Sequence, residues 1–374
     1  MACLGKVFND STGLCHLVFL TVPVVLLCLF GVLFFHSRLL NFFSSVSTAT
    51  SPAPLSATLS LASPKAEAVS SSRSTRTHSD APPLSSSSEE ELSFRFKTAK
   101  KLLCHRFRGR LGNELFQYSA TLGLALTMNR MPVFLGAVYL PKVLKTFFAP
   151  FKNISQLEAR CARAKCAKET SFHKYAEKLT RLDPRFDFSV GQYFATYKYF
   201  EKHQTLIRKA LTFSDAVRSE SERFVQQLRR KYSSSTKLVG VHLRRGDLTL
   251  ERKQKLGYPM ATPEYVNRSV TNFEKLYPDC VFVVASDSLQ WWREHFPKGH
   301  RVVFSENHAP AVDMMILASM DHTVISYGSY SWWVGYFNNG TTVYLKDFII
   351  HNTTVGDSFY PLGEQYIYPG WIPL

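Results

Sequence analysis

Residues able to hold an anion recur at three places in the second half of the chain. His242-Leu243-Arg244-Arg245-Gly246-Asp247 sets two arginines side by side, and their planar, permanently charged forks suit a diphosphate. Ser286-Asp287 follows an apolar run, and Gly328-Ser329-Tyr330-Ser331 makes a turn into a helical stretch. A helix start of that kind offers backbone N–H groups and hydroxyls to phosphate oxygens. Each place also has a plainer reading: a surface loop in which Arg245 pairs with Asp247, and an N-capping turn. In the first half, GRLGNELF opens a helix after a glycine-rich turn and carries Asn113 and Glu114. Glu114 is either a carboxylate in a cleft or the acidic start of that helix. Asp313 likewise sits where the first turn of a helix favours a negative charge. A general base for a reacting hydroxyl must be a carboxylate or histidine within reach of it, and Asp247 and Glu114 are the candidates.

The elements that must position these residues read as alternating strands and helices. LVGVHL (238–243), VFVVAS (281–286), RVVF (301–304), TVISY (323–327) and TVYL (342–345) are strand-like. Helical patterns at 263–277, 288–296 and 311–320 separate them. Apolar strands alternating with helices predict a parallel sheet covered on both faces. Ligands of such sheets bind beyond the carboxyl ends of the strands, which is where the three anion-holding segments fall. The α/β region divides near Ser235 into lobes of residues 94–235 and 236–374. In the first lobe Leu115, Leu122 and Leu126 recur at helical spacing, but 131–236 carries no readable pattern. The pairs Trp291-Trp292 and Trp332-Trp333 read as packing rather than as sugar platforms.

Ahead of these lobes the composition changes. Residues 17–35, LVFLTVPVVLLCLFGVLFF, are uncharged and about as long as a helix needs to cross a bilayer; a cleaved secretory signal is the alternative. A tail of 1–16 precedes this span, and a Ser/Thr/Ala/Pro-rich stem of 36–93 follows it, too poor in large apolar residues to fold. Sequons at Asn153, Asn267, Asn339 and Asn352 all lie after the span, as expected if that part faces the secretory lumen. In that oxidising compartment Cys104, Cys161, Cys166 and Cys280 are available for disulfides, and four cysteines allow three pairings. Cys161 and Cys166 lack a second pair of ligands at zinc spacing, so no structural metal is expected. The net charge of +16 comes from scattered basic residues without a nucleic-acid-binding motif, and an anionic nucleotide ligand accounts for part of it.

GRLGNELFQYSA (109–120), VGVHLRRGD (239–247), FVVASDSLQWW (282–292) and DMMILASMDHTVISYGSYSWWVGYF…GTTVYLKDF (313–348), in that order, resemble the motifs of the family 11 α-1,2-fucosyltransferases. The likeness runs from about Lys97 to Phe348. It implies a GT-B-like pair of Rossmann-type lobes behind one membrane anchor and a stem, in a single-pass type II protein of the Golgi membrane with a lumenal catalytic domain. It implies an inverting enzyme that transfers L-fucose from GDP-β-L-fucose to the 2-hydroxyl of a terminal β-galactose on a glycan, with no divalent metal required; the chain contains no Asp-x-Asp triplet. By position Arg244 stabilises the departing GDP, with Arg245, Ser286 and Asp287 at the same strand ends in the donor site; the remaining roles are those the resemblance implies. His242 and Asp313 read guanine or ribose, Ser329, Tyr330 and Ser331 hold phosphate oxygens, and Asn113 lies beside the reacting sugar. Glu114 departs from the family, where glutamine is common. Fucosylation of another glycan, or of protein Ser or Thr, is the neighbouring reading, and an inactive glycan-binding Golgi protein is the alternative from another class.

Overall fold

The computed structural model describes residues 87–148, 154–169, 171–359 and 363–374. The expected tail, membrane span and most of the stem, and Asn153, lie outside the described residues. Among the described residues no helix is long and apolar enough to cross a membrane.

Among the described residues ten strands form two sheets, all of whose pairings are parallel. The first sheet holds β1 (Leu102–Arg106), β2 (Met131–Leu135), β3 (Lys165–Lys168) and β4 (Phe188–Gly191) in the order β2-β1-β4-β3. The second holds β5 (Leu238–Leu243), β6 (Val281–Ser286), β7 (Val302–Phe304), β8 (His322–Ile325), β9 (Thr342–Tyr344) and β10 (Ile372–Pro373), in the order β10-β9-β8-β5-β6-β7. The helices are α1 (Ser88–Arg95), α2 (Leu111–Met128), α3 (Leu140–Val143), α4 (Ile154–Ala162), α5 (Gln204–Ala210), α6 (Asp215–Lys231), α7 (Glu251–Lys255), α8 (Pro263–Leu276), α9 (Leu289–His295), α10 (Pro310–Ala318), α11 (Ser329–Phe337) and α12 (Thr354–Asp357).

In the second sheet β5 is buried throughout, and alternate side chains serve opposite layers. Val239, Val241 and Leu243 pack with Tyr265, Val266, Val270 and Phe273 of α8. Leu238 belongs to the other layer, with Met314, Ile316 and Leu317 of α10 and Trp333 of α11. Such two-sided cover is what lets an uninterrupted apolar run persist as a strand. The predicted elements of this lobe are all present, with ends moved by one or two residues; β10 was not foreseen.

The first sheet comes from the stretch that gave no readable pattern. Its strands have four or five residues, too short for periodicity to register. Helix α2 is buried on nearly every side because it packs on this sheet and also meets α11 of the other lobe. There Phe116 lies 4.6 Å from the ring of Trp332 and 5.1 Å from that of Trp333, so both tryptophans are core, as expected. On the far face a disulfide between Cys104 and Cys161 joins β1 to α4; Cys280 is a buried free thiol.

The folded region begins earlier than the stem boundary at 93. Helix α1 starts with a capping box in which the Ser87 hydroxyl accepts from the Glu90 amide and the Glu90 carboxylate accepts from the Ser87 amide. Its Leu92 is buried, as is the following Phe96. These two apolar residues, four apart, join the main hydrophobic core, and Glu91 pairs with Lys209 of α5 at 3.2 Å.

Candidate active site

The N-termini of α2 and α11 meet at the carboxyl ends of the strands. Gly112 permits the contact, because a Cβ there would lie 2.5 Å from the Tyr330 amide nitrogen. The indole N–H of Trp333 donates to the Gly112 carbonyl at 3.0 Å, and the Ser329 hydroxyl donates to Asn113 Oδ1 at 2.7 Å. No side chain caps either helix start. Both therefore present backbone N–H groups and the positive end of a helix dipole toward one place.

That place is a cavity of about 250 Å³ lined by Arg110, Asn113, Arg244, Lys253, Ser329 and Asp247 together with His173, Tyr193, Tyr258 and Tyr366. Two arginines and a lysine face one carboxylate, so the cavity suits an anion. Arg244 leans against Gly328, whose φ of +125° and missing Cβ leave room for the guanidinium; an added Cβ would sit 3.0 Å from Nη1. Its Nη2 donates to both Asp247 oxygens, at 2.9 and 3.2 Å, and its backbone N–H to Ser326 Oγ at 2.9 Å. Asp247 thus pairs with Arg244, not with Arg245. Burial alone would raise the Asp247 carboxyl, but the Arg244 hydrogen bond and the charges of Arg244, Lys253 and Arg110 outweigh it and hold it below the usual carboxylate range.

Of the residues expected in the donor site, Arg244, Asn113, Asp247 and Ser329 line this cavity and the others do not. Arg245 turns away and lays its guanidinium 3.5 Å from the ring centroid of Trp291. Asp287 instead shapes the loop, its Oδ1 accepting from the amides of Arg245 and Gly246 at 2.8 and 3.0 Å. The Ser286 hydroxyl donates to the Leu243 carbonyl at 2.5 Å, bracing the end of β5. His242 and Ser331 are buried against each other, Nδ1 to Oγ at 2.6 Å. Burial, aided by the Arg244 charge, lowers the His242 imidazolium to about 3, so the ring is a neutral prop behind the arginine loop. The Tyr330 hydroxyl donates to the Pro310 carbonyl at 2.5 Å, and Asp313 accepts from Ser305 Oγ at 2.7 Å. Among Ser329, Tyr330 and Ser331 it is thus the helix-start backbone and the Ser329 hydroxyl that lie at the cavity.

Glu114 is not at the cavity. Its carboxylate is 1% exposed and accepts from the amides of Val138, Tyr139 and Leu140 at 2.9, 2.9 and 3.0 Å. It ties α2 to the turn that begins α3, which uses the whole carboxylate and leaves it no reach to a substrate. Sequence reasoning missed Arg110 and Gln117, although both lie inside the GRLGNELFQYSA motif, and Lys253, which stands in no motif. The Gln117 amide closes the turn before α2 by accepting from the Arg108 amide at 2.9 Å and donating to the Arg108 carbonyl at 2.7 Å and the Asn113 carbonyl at 2.9 Å. Among the described residues no three His, Cys, Asp or Glu side chains cluster as metal ligands. The sequon residues Asn267, Asn339 and Asn352 are all exposed.

Residues 87–374 match Glycosyl transferase family 11. The mouse protein galactoside 2-alpha-L-fucosyltransferase Sec1 is 29% identical over 273 residues, 71% of this chain and 72% of its own. Pig galactoside alpha-(1,2)-fucosyltransferase 2 is 29% identical over 270 residues, 71% of this chain and 77% of its own. Among solved structures, a mutant of Arabidopsis thaliana FUT1 in complex with GDP superposes with a TM-score of 0.43 at 13% identity, over 72% of this chain and 77% of that chain. The family match takes in both sheets and every residue lining the cavity, and this chain is a member of glycosyl transferase family 11.

Proposed function

We propose that the chain is a galactoside α-1,2-fucosyltransferase, moving L-fucose from GDP-β-L-fucose to the 2-hydroxyl of a terminal β-galactose. The observation that carries this reading is the cavity where two uncapped helix starts meet Arg244, Arg110 and Lys253, in a chain whose relatives bear that activity in their names. A sugar diphosphate is the ligand such a cavity suits, with its phosphates at the start of α11 and the fucose toward Asn113.

The reaction breaks the bond between the anomeric carbon and the phosphate oxygen, and the electron pair leaves with GDP. Arg244 is placed to meet that growing charge. Asp247 holds its guanidinium in position beforehand, so little reorganisation is needed when the charge develops. A single attack from the face opposite GDP inverts the anomeric centre, and the paired parallel sheets fit a GT-B-like division of donor and acceptor lobes. The cations of the cavity take the part a divalent metal plays elsewhere. The uncharged run at 17–35 and the exposed sequons support a type II protein of the Golgi membrane with this region in the lumen.

The test is fucose transfer from GDP-fucose to lactose and to N-acetyllactosamine by the full chain in EDTA, beside Arg244→Ala. Product at galactose O2 that persists in EDTA and is lost in the variant supports donor, linkage and metal independence together. Failure of the wild-type chain to bind GDP would end the reading.

A further inference from the structure

Transfer to a sugar hydroxyl must dispose of one proton, and neither Glu114 nor Asp247 is suited to take it. Glu114 is spent on three backbone amides away from the cavity, and Asp247 is held ionised by Arg244 at 2.9 Å. The cavity is lined by one more side chain that can accept a proton, His173. Its ring is fixed on both sides, stacked on Phe359 at 3.8 Å between centroids and edge-on to Tyr366 at 5.1 Å. The Ser171 hydroxyl donates to the Ser358 carbonyl at 2.7 Å, tying the turn that carries His173 to the end of α12.

The hydrogen bonds also assign the tautomer. His173 Nδ1 lies 2.7 Å from Ser358 Oγ, and that hydroxyl lies 2.6 Å from the Val355 carbonyl. A carbonyl can only accept, so the single serine proton goes to Val355 and Oγ accepts from Nδ1–H. Nε2 then carries the lone pair, the arrangement of an imidazole poised as a base. Burial lowers the imidazolium to about 3, which keeps the ring neutral at any physiological pH. Two phosphate charges brought into the same cavity would favour the imidazolium and strengthen the base once the donor is bound. Beside it Phe172 and Tyr193, 5.4 Å apart and edge-to-face, also line the cavity. They present the apolar ring surface on which the C–H face of a sugar can rest.

We infer that His173 Nε2 receives the reacting hydroxyl of the acceptor sugar and takes its proton, an assignment that rests on the fucosyltransferase reading. The acceptor oxygen forms a bond to the anomeric carbon as the bond to GDP breaks. The oxygen's proton passes to Nε2, the electron pair departs on the β-phosphate, and the imidazolium returns its proton to water after product leaves. Ser358 is a positioning residue that holds the tautomer.

The experiment compares the full-length wild-type chain with His173→Gln, His173→Ala and Ser358→Ala, using GDP-fucose and lactose. It measures kcat and KM for each substrate, GDP affinity by titration, and GDP-fucose hydrolysis without acceptor. General-base catalysis contributes roughly 10²–10⁴-fold. Both His173 variants are therefore expected to lose about 10²-fold or more in kcat for transfer while GDP affinity and the KM for GDP-fucose stay near wild type. Ser358→Ala should lose less and in the same parameter. Transfer by His173→Gln close to the wild-type rate overturns the assignment, as does loss of GDP affinity in step with transfer in both His173 variants, which marks a structural role. A wild-type chain that binds GDP but is inactive on galactosides removes the galactoside-acceptor reading and this assignment with it; an active wild type matched by His173→Gln removes the assignment alone.

Discussion

Single residues in this chain divide sharply into those that face the ligand space and those that hold others in place, and a substitution should separate the two. Arg244 is in the first group. Arg244→Lys keeps the charge but cannot reproduce a planar fork that reaches Asp247 while facing the cavity. Removing one preorganised donor of this kind costs about 10²–10³ in kcat, and a loss of that order with an unchanged unfolding temperature is the expected outcome of steady-state assays and thermal denaturation on the same sample. Glu114 is in the second group. Glu114→Gln leaves one oxygen for three buried amides, and stranded buried donors cost about 1–3 kcal/mol each. Denaturant unfolding should show a stability loss of that size or more, with kcat per folded molecule close to wild type; the reverse pattern would return Glu114 to the list of catalytic candidates. The motif that carries Glu114 was visible in sequence, but its direction was not. A carboxylate in the first turn of a helix can point to the cleft or to a neighbouring loop, and the packing of α3 decided.

At the scale of elements the meeting of α2 and α11 sets the site. Two helix starts placed together repel through their dipoles and forgo capping, so the pairing must be held by contacts elsewhere: Phe116 between Trp332 and Trp333, and the indole hydrogen bond to Gly112. Gly112→Ala would put a methyl group 2.5 Å from a backbone nitrogen, and neither helix can yield without moving the residues of the cavity. Overpacking of this kind typically costs about 1–3 kcal/mol. GDP affinity, read by titration, is expected to fall along with the unfolding temperature. A variant that is less stable but binds GDP normally would show that the two helix starts are not jointly needed.

For the whole molecule, stability should depend on pH and redox state in definite directions. Glu169 follows β3, is 4% exposed and accepts from the Phe194 amide at 2.8 Å. Burial pushes its carboxyl up to about 8 from an ordinary value of 4.5. Below the ordinary value both states are protonated and the group is neutral to stability. Between there and about 8 the unfolded chain releases a proton that the folded chain keeps, so stability declines as pH rises through this window. Glu169→Gln should flatten that decline, and unfolding midpoints that fall with pH equally in both proteins would refute it. The Cys104–Cys161 bridge closes a separation of 57 residues between β1 and α4. Its reduction should lower stability by about 2–4 kcal/mol, seen as a lower unfolding midpoint in reductant.

The second lobe and the arginine loop were legible in the sequence because buried parallel strands must be apolar along their whole length, and because charged residues just beyond such strands have few reasons to be there. The order GRLGN, HLRRGD, GSYS likewise carried the family. The first sheet was not legible: strands of four or five residues interrupted by polar positions show no period, and only their pairing in space makes them strands. Nor could spacing along the chain say which members of a motif turn inward. Arg244 and Arg245 are adjacent, yet one lines the cavity and the other lies on Trp291. His173, 71 residues before Arg244 in the numbering (244 − 173), stands in no motif at all. Neighbours along a strand or loop point to opposite sides, so residue type and order determined what chemistry the chain carries, while the tertiary packing of two lobes decided which side chains share the space where it happens.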